Sequence, residues 1–261
     1  MKQGYTGDFY IIIDDEDKTA SEYKKRFGAD RVITFCKQEY LDKADTGDIT
    51  GTRGVILPAR NACFDIARNL GLTYFLELDD DYREFSFRVP DGEVLRSIRC
   101  QDIESIFDAY LDFLDESGAL TVCMAQGGDF LGGVSAFHRI RWKRKAMNTF
   151  FCRTDRPFSF MGRINEDVNT YTTLAHRGEF LCTVGDASVV QTITQTNSGG
   201  MSESYLELGT YMKSFYSVMF CPSAVKVSVM GQSGLRLHHE VDWERCAPKI
   251  ISERHRKTAR G

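Results

Sequence analysis

The 261-residue chain reads as an α/β protein: a mainly parallel sheet flanked by helices, in a single domain. Three observations predict this. Short apolar, β-rich runs alternate with longer segments of helical periodicity over the first half of the chain, which argues right-handed crossovers between parallel strands. Apolar content of 42% and charged content of 27% are those of an ordinary globular enzyme with a full core. No internal repeat or linker divides the sequence.

Asp8–Ile13 is the first buried strand, ending in the acidic run Asp14–Asp17. Thr19 or Ser21 can cap a helix to Phe27, stopped by Gly28. Arg31–Phe35 is a second strand, Gln38–Asp45 a short helix or loop, and Asp45–Gly54 a surface loop rich in Gly, Asp and Thr. From Pro58 to Gly71 the residues Cys63, Ile66, Ala67 and Leu70 recur on one helical face, and Gly71 closes the helix. Tyr74, Phe75, Leu76 and Leu78 form a third strand that runs into three consecutive carboxylates, Asp79, Asp80 and Asp81.

Tyr82–Val89 leads to a turn at Pro90, Asp91 and Gly92. Asp102–Glu116 is an amphipathic helix with Ile103, Ile106, Phe107, Tyr110, Leu111 and Leu114 inward. Ala119–Met124 is another buried strand, entering a stretch with two glycine pairs, Gly127-Gly128 and Gly132-Gly133. Such pairs let backbone approach a ligand closely, or simply make a flexible loop. The basic run Arg139–Lys145 and the aromatic-rich Phe150–Phe160 follow. A helix opens within Gly162–Tyr171, capped by Asn165 or Asp167, and runs to His176. Glu179–Val184 and Ala187–Thr192 are strands, Thr194–Ser202 a polar loop suited to a lid, and Glu203–Phe220 a helix. Ala224–Met230 and Leu235–His239 are the last strands before a basic tail.

The net charge of −4 hides an asymmetry. Residues 1–130 carry 15 Lys+Arg against 26 Asp+Glu, and residues 131–261 carry 18 against 11. An acidic half beside a basic half suggests two tasks, the second with an anionic partner. The eight cysteines form no CxxC pair and read as reduced core residues of a cytoplasmic protein. No apolar run approaches a membrane span, and the N-terminus lacks a signal-peptide core.

Three adjacent aspartates repel one another, and at the carboxyl end of a strand they offer hard oxygen ligands for Mg²⁺ or Mn²⁺, which can in turn hold a diphosphate. The competing reading is a polar strand-to-turn transition. Glu166 and Asp167 open a helix, where the dipole stabilises negative charge, yet a carboxylate there can also take a proton from a hydroxyl. His238 or His239 can complete a metal shell; strand alternation puts the two on opposite faces, so one should reach the ion. Together these residues describe transfer of a group from a nucleoside diphosphate to an alcohol.

This set resembles the GT-A (Rossmann-like) nucleotide-sugar glycosyltransferases. The shared marks are a DxD motif at Asp79-Asp80-Asp81, a glycine-rich stretch from Gly127 to Gly133, an acidic motif at Asn165-Glu166-Asp167, and a late histidine at His238 or His239. More narrowly, from Gly54 to Pro248 the chain is similar to the phage TET/JBP-associated glycosyltransferases, which modify hydroxymethylated pyrimidines in DNA. The resemblance implies a UDP-sugar donor and a divalent metal, Mn²⁺ or Mg²⁺. It implies that Asp79 and Asp81 contact the metal, with Asp79 and Asp80 also facing the donor. Ile13, Asp14, Asp15 and Arg60 would lie along the uridine, with Gly132 and Gly133 also on the donor. Asp167 would be the general base, with Glu166 as the alternative, in a displacement that inverts the sugar. Residues of about 1–130 would handle donor and metal, and about 131–261 the acceptor, DNA carrying 5-hydroxymethylcytosine, in the host cytoplasm if the chain is phage-encoded.

The basic residues Arg139, Arg141, Lys143, Arg144 and Lys145, and the tail Arg254, Arg256, Lys257 and Arg260, can pair with phosphates. Trp142, Phe150, Phe151, Phe158 and Phe160 can stack on bases, or belong to an aromatic core. Two other functions compete. A GT-A enzyme with a lipid, polysaccharide or protein acceptor is disfavoured by the basic half and by the lack of a membrane helix. A nucleotidyltransferase would be expected to carry glycines near the first strand, where this chain is acidic.

Overall fold

The structure, a computed structural model, describes residues 4–47, 55–130, 133–135, 142–143, 145–191, 212–230, 236–246 and 253. Strand β1 (Ile11–Asp14) leads through helix α1 (Ala20–Phe27) to β2 (Val32–Phe35), and the two strands pair in parallel, as a crossover helix requires. Helices α2 (Lys37–Lys43) and α3 (Leu57–Asn69) follow, α3 with Pro58 in its first turn and packed beside β1. Then come β3 (Tyr74–Glu77), β4 (Tyr82–Asp91), β5 (Val94–Arg99), α4 (Ile103–Ser117), β6 (Thr121–Ala125), β7 (Trp142–Lys143) and β8 (Phe150–Arg153). The chain continues with α5 (Glu166–His176), β9 (Leu181–Gln191), α6 (212–220), β10 (Val225–Met230), β11 (Arg236–Val241) and the short α7 (Trp243–Cys246).

The main sheet has seven strands in the order β3-β8-β6-β9-β4-β5, with β7 added against β9. It is mixed, which corrects the expectation of a mainly parallel sheet. Among the described residues its one parallel pair is β6–β9; β3–β8, β6–β8, β4–β9, β4–β5 and β7–β9 are antiparallel. The cause lies in strands that the sequence pattern conceals. β4 and β5 are joined by a hairpin over Gly92 (φ 62°), so they must pair antiparallel, and Arg83, Glu84, Arg88, Arg96 and Arg99 interrupt their apolar alternation. β8 opens the aromatic-rich stretch Phe150–Phe160, to which no strand was assigned from the sequence. Conversely, the strands expected at 179–184 and 187–192 form one continuous β9.

Period-2 alternation places helices on both faces. Val122, Met124 and Phe151 point to α4, where they bury Tyr110 and Leu114. Cys123, Phe150 and Cys152 point the other way and pack with Leu57 and Phe64 of α3 and with Val168, Tyr171 and Leu174 of α5. α4 is bounded as its residues dictate: the Asp102 carboxylate accepts from the Ser105 amide at 3.2 Å, and Gly118 takes the left-handed φ of 69° that ends it. Six of the eight cysteines, all free, are buried; Cys36 is exposed. Among the described residues no helix is long and apolar enough to cross a membrane.

Candidate active site

The second helix layer carries the chemistry. Arg60 lies on the inner face of α3, only 4% exposed, with its guanidinium 4.9 Å from the Phe150 ring and 5.5 Å from that of Phe160. A charge buried this deeply must be paired. Its Nη1 donates to Glu77 Oε1 at 2.9 Å, its Nη2 to Asp79 Oδ1 at 3.0 Å, and its Nε to Glu166 Oε1 at 3.0 Å. One guanidinium thus gathers the end of β3, the start of the aspartate cluster and the first turn of α5. Burial works against the charge of Arg60, but Asp79, Glu166 and Glu77 outweigh it and hold the group protonated.

The carboxylates around this cation outnumber it. Burial pushes Glu77 up to about 7 despite Arg60. Asp81 is raised by burial and then by Asp79 and Asp80, with a hydrogen bond from Gln191 opposing the rise. Tyr82 donates to Asp79 Oδ2 at 3.3 Å. The acids gathered here present hard carboxylate oxygens, which fits Mg²⁺ or Mn²⁺. Among the described residues, no three His, Cys, Asp or Glu side chains group to ligate an ion by themselves. An ion that uses one or two carboxylates and completes its shell from a diphosphate and water suits such a site.

Asp167 is set differently from Glu166. Both follow Asn165, a non-glycine residue with φ 54° and ψ 44°, whose side chain forms no helix cap but donates to Lys213 O at 2.8 Å and Ser217 Oγ at 3.1 Å on α6. The expected Asn165 cap is therefore replaced by a tether between two helices. Asp167 Oδ1 accepts from the Val168 amide at 2.7 Å, and the carboxyl is pushed up to about 7 by burial and then by Glu166. Glu166 is committed to Arg60, whereas no ion pair claims Asp167 among the described residues.

The other expected residues have contacts of their own. Ile13 is buried in β1. Asp14 pairs with Lys37 at 2.9 Å, and Asp15 accepts from the Lys37 amide at 2.9 Å, which lowers its pKa; both brace the start of α2. The nitrogens of Arg60 face carboxylates, so in this structure it organises acids where a uridine contact was expected. Gly132 lies outside the described residues, and Gly133 has a left-handed φ of 63° with open space where a Cβ would stand. Gly127 opens a short 3-10 turn to Phe130, pinned by Asp129, which accepts from the Gln126 amide at 3.1 Å and pairs with Lys145.

His238 and His239 sit on β11 with their rings 4.3 Å apart, so alternation does not separate them as expected. His239 is pushed down to about 4 by burial, with His238 and Lys213 adding to the effect. Phe150, Phe151, Phe158 and Phe160 are buried, which favours the aromatic core over base stacking, the two readings their sequence left open. Lys145 is tied to Asp129 rather than free for a phosphate. Arg139, Arg141 and Arg144, the side chains of Trp142 and Lys143, the 194–202 loop and the basic tail lie outside the described residues.

Two residues enter the site unannounced. Glu77 could have been found, because a lone carboxylate inside the apolar run Phe75–Leu78 demands a buried partner. Trp243, stacked on Tyr171 of α5, follows the histidine strand in a stretch with no helical or strand period.

A family model described as TET-Associated Glycosyltransferase matches residues 1–200 of the chain, which include Arg60, the aspartate cluster, Glu166 and Asp167. No curated protein and no solved structure gave a match.

Proposed function

Because the chain belongs to the TET-associated glycosyltransferase family, and so is a glycosyltransferase using a nucleotide-sugar donor, we propose that it transfers a sugar from a UDP-sugar to the hydroxymethyl group of 5-hydroxymethylcytosine in DNA. The observation that carries this reading is the arrangement around Arg60. It draws Asp79, from the strand end where a donor would lie in a GT-A-like site, to the first turn of α5, next to a carboxyl held near neutrality.

In this reading Asp167 accepts the proton of the acceptor hydroxyl. The oxygen attacks the anomeric carbon, the bond from that carbon to the diphosphate breaks, and its electron pair leaves with UDP. A pKa close to the working pH suits a base that must be ionised before reaction and hold a proton after it. Asp79 and Asp81 would hold a divalent cation, which when bound supplies charge neutralisation for the departing diphosphate. Arg60 is a positioning residue: it fixes Glu77, Asp79 and Glu166 by three charge-assisted bonds. Glu166, already spent on Arg60, is the weaker candidate for base.

The test is incubation with hydroxymethylcytosine DNA, UDP-glucose and Mn²⁺, followed by nucleoside mass spectrometry. A hexose-shifted nucleoside is expected. Its absence with every UDP-sugar would remove the DNA acceptor. Asp167→Ala should abolish transfer while sparing UDP binding, and normal turnover in that variant would remove Asp167 as the base.

A further inference from the structure

Trp243 is one of two tryptophans, and it is not placed as a core residue. Its indole stacks on Tyr171 with ring centroids 5.4 Å apart and planes at 21°, while 36% of the residue stays exposed. Tyr171 is 3% exposed, so the indole lies as an outer leaf on a ring fixed in the core. Tyr171 stands one helical turn after Asp167 on the same face of α5, and the Asp167 charge acts on its hydroxyl. The support is rigid. Cys246 is fully buried and its thiol donates to Thr172 O at 3.6 Å, its amide donates to Asp242 O at 2.9 Å, and the Asp242 amide donates to Ala224 O at 2.7 Å. α7 is thereby held to α5 and to the start of β10, and a flat ring so held loses little entropy when a planar ligand covers it.

We infer that the exposed face of Trp243 is the stacking platform for the acceptor base of DNA, turned out of the helix so that its hydroxymethyl group reaches Asp167. This rests on the DNA-acceptor reading above. Base–aromatic stacking is tolerant of base identity, and a base must leave the duplex for chemistry on its substituent. The uracil of the donor is the other planar candidate. Trp243 stacks on Tyr171, one turn after Asp167, whereas the donor-side carboxylate Asp79 bonds to Arg60 and Tyr82.

The experiment compares the full chain with Trp243→Ala, Trp243→Phe and Trp243→Leu. It measures sugar transfer to a hydroxymethylcytosine oligonucleotide, affinity for that oligonucleotide by fluorescence anisotropy, and affinity for UDP. The expected result is a loss of oligonucleotide affinity of about 5- to 150-fold in the Ala variant, the range of one base–aromatic stack. Recovery is expected with Phe but not with Leu, and UDP affinity is expected to hold in all three. An unchanged oligonucleotide affinity in the Ala variant overturns the inference, as does full recovery by Leu, which restores apolar bulk without a flat ring. Loss of UDP affinity parallel to that for the oligonucleotide also overturns it. Wild-type protein that modifies the oligonucleotide while the Ala variant binds it normally removes the platform alone. Wild-type protein that neither binds nor modifies it removes the acceptor reading and the platform with it.

Discussion

Replacing Arg60 by methionine keeps the volume and removes the charge, which leaves Glu77, Asp79 and Glu166 facing one another without their cation. Breaking a buried ion pair by deleting one partner costs about 3–5 kcal/mol. For a chain of this size that corresponds to a fall in Tm of roughly 6–20 °C. The loss should depend on pH, and the sign follows from Glu77. Its folded pKa of about 7 lies above the ordinary 4.5, so its contribution to stability is fully present below about pH 4.5 and is lost as pH rises through 7. Arg60 is one of the groups that pull this pKa down, so its removal raises the folded value further. The deficit of the variant against the wild type should therefore be largest at pH 8 and shrink toward pH 5, where protonation relieves the buried charge. Urea unfolding of both proteins at the two pH values measures this. Equal deficits at pH 5 and pH 8, or a deficit below about 1 kcal/mol at pH 8, would refute the view that the guanidinium neutralises buried acid.

The kcat/KM profile should fall as pH drops through about 7, because Asp167 must be ionised to accept a proton; a rate flat from pH 8 to pH 5.5 would dissociate Asp167 from the chemistry. Asp81→Ala should abolish turnover together with Mn²⁺-dependent UDP binding, read by calorimetry with and without the metal, and UDP binding that still responds to Mn²⁺ would remove Asp81 from the ion. Lys145→Met should destabilise the chain by about 1–3 kcal/mol in thermal unfolding, since it leaves the buried Asp129 carboxylate without its cation. Affinity for hydroxymethylated DNA should decline linearly on a log–log plot against salt, by about 0.9 in slope per phosphate contacted, and a flat response would argue for an uncharged acceptor.

What could be read from the residues was local. The amphipathic span of α4 and the proline in the first turn of α3 are short-range signals, and the structure repeats them within one or two residues, but of the face expected on α3 only Ala67 is buried: Cys63 and Ile66 are half-buried, Leu70 is exposed, and Leu57, Arg60, Ala62 and Phe64 turn inward instead. The acidic ends of β3 and α5 were also visible, because charge beside an apolar run is conspicuous. Their meeting at Arg60 was not. Arg60 and Glu166 are 106 residues apart, and nothing in the spacing of either says that one guanidinium serves both. Sheet direction failed for a related reason: periodicity reports which face of a strand is buried but not which strand lies beside it. The aromatics stayed ambiguous because Phe150 and Phe160 carry the same apolar signal whether they roof a buried cation or meet a ligand.

Strand β9 carries a consequence for how the chain can be made. Its first residues bond to β6 and its last to β4, where Tyr82 pairs with Gln191, whose side chain also reaches Asp81. β3 likewise completes its edge only with β8. The acidic first half therefore has no finished sheet of its own. A ribosome that has released only residues 1–130 has exposed β3, β4 and β6 with their central neighbours still unmade, and the aspartate cluster gains its final anchor more than a hundred residues later. Severing the chain near residue 130 should accordingly yield two fragments that aggregate apart and regain order only when mixed.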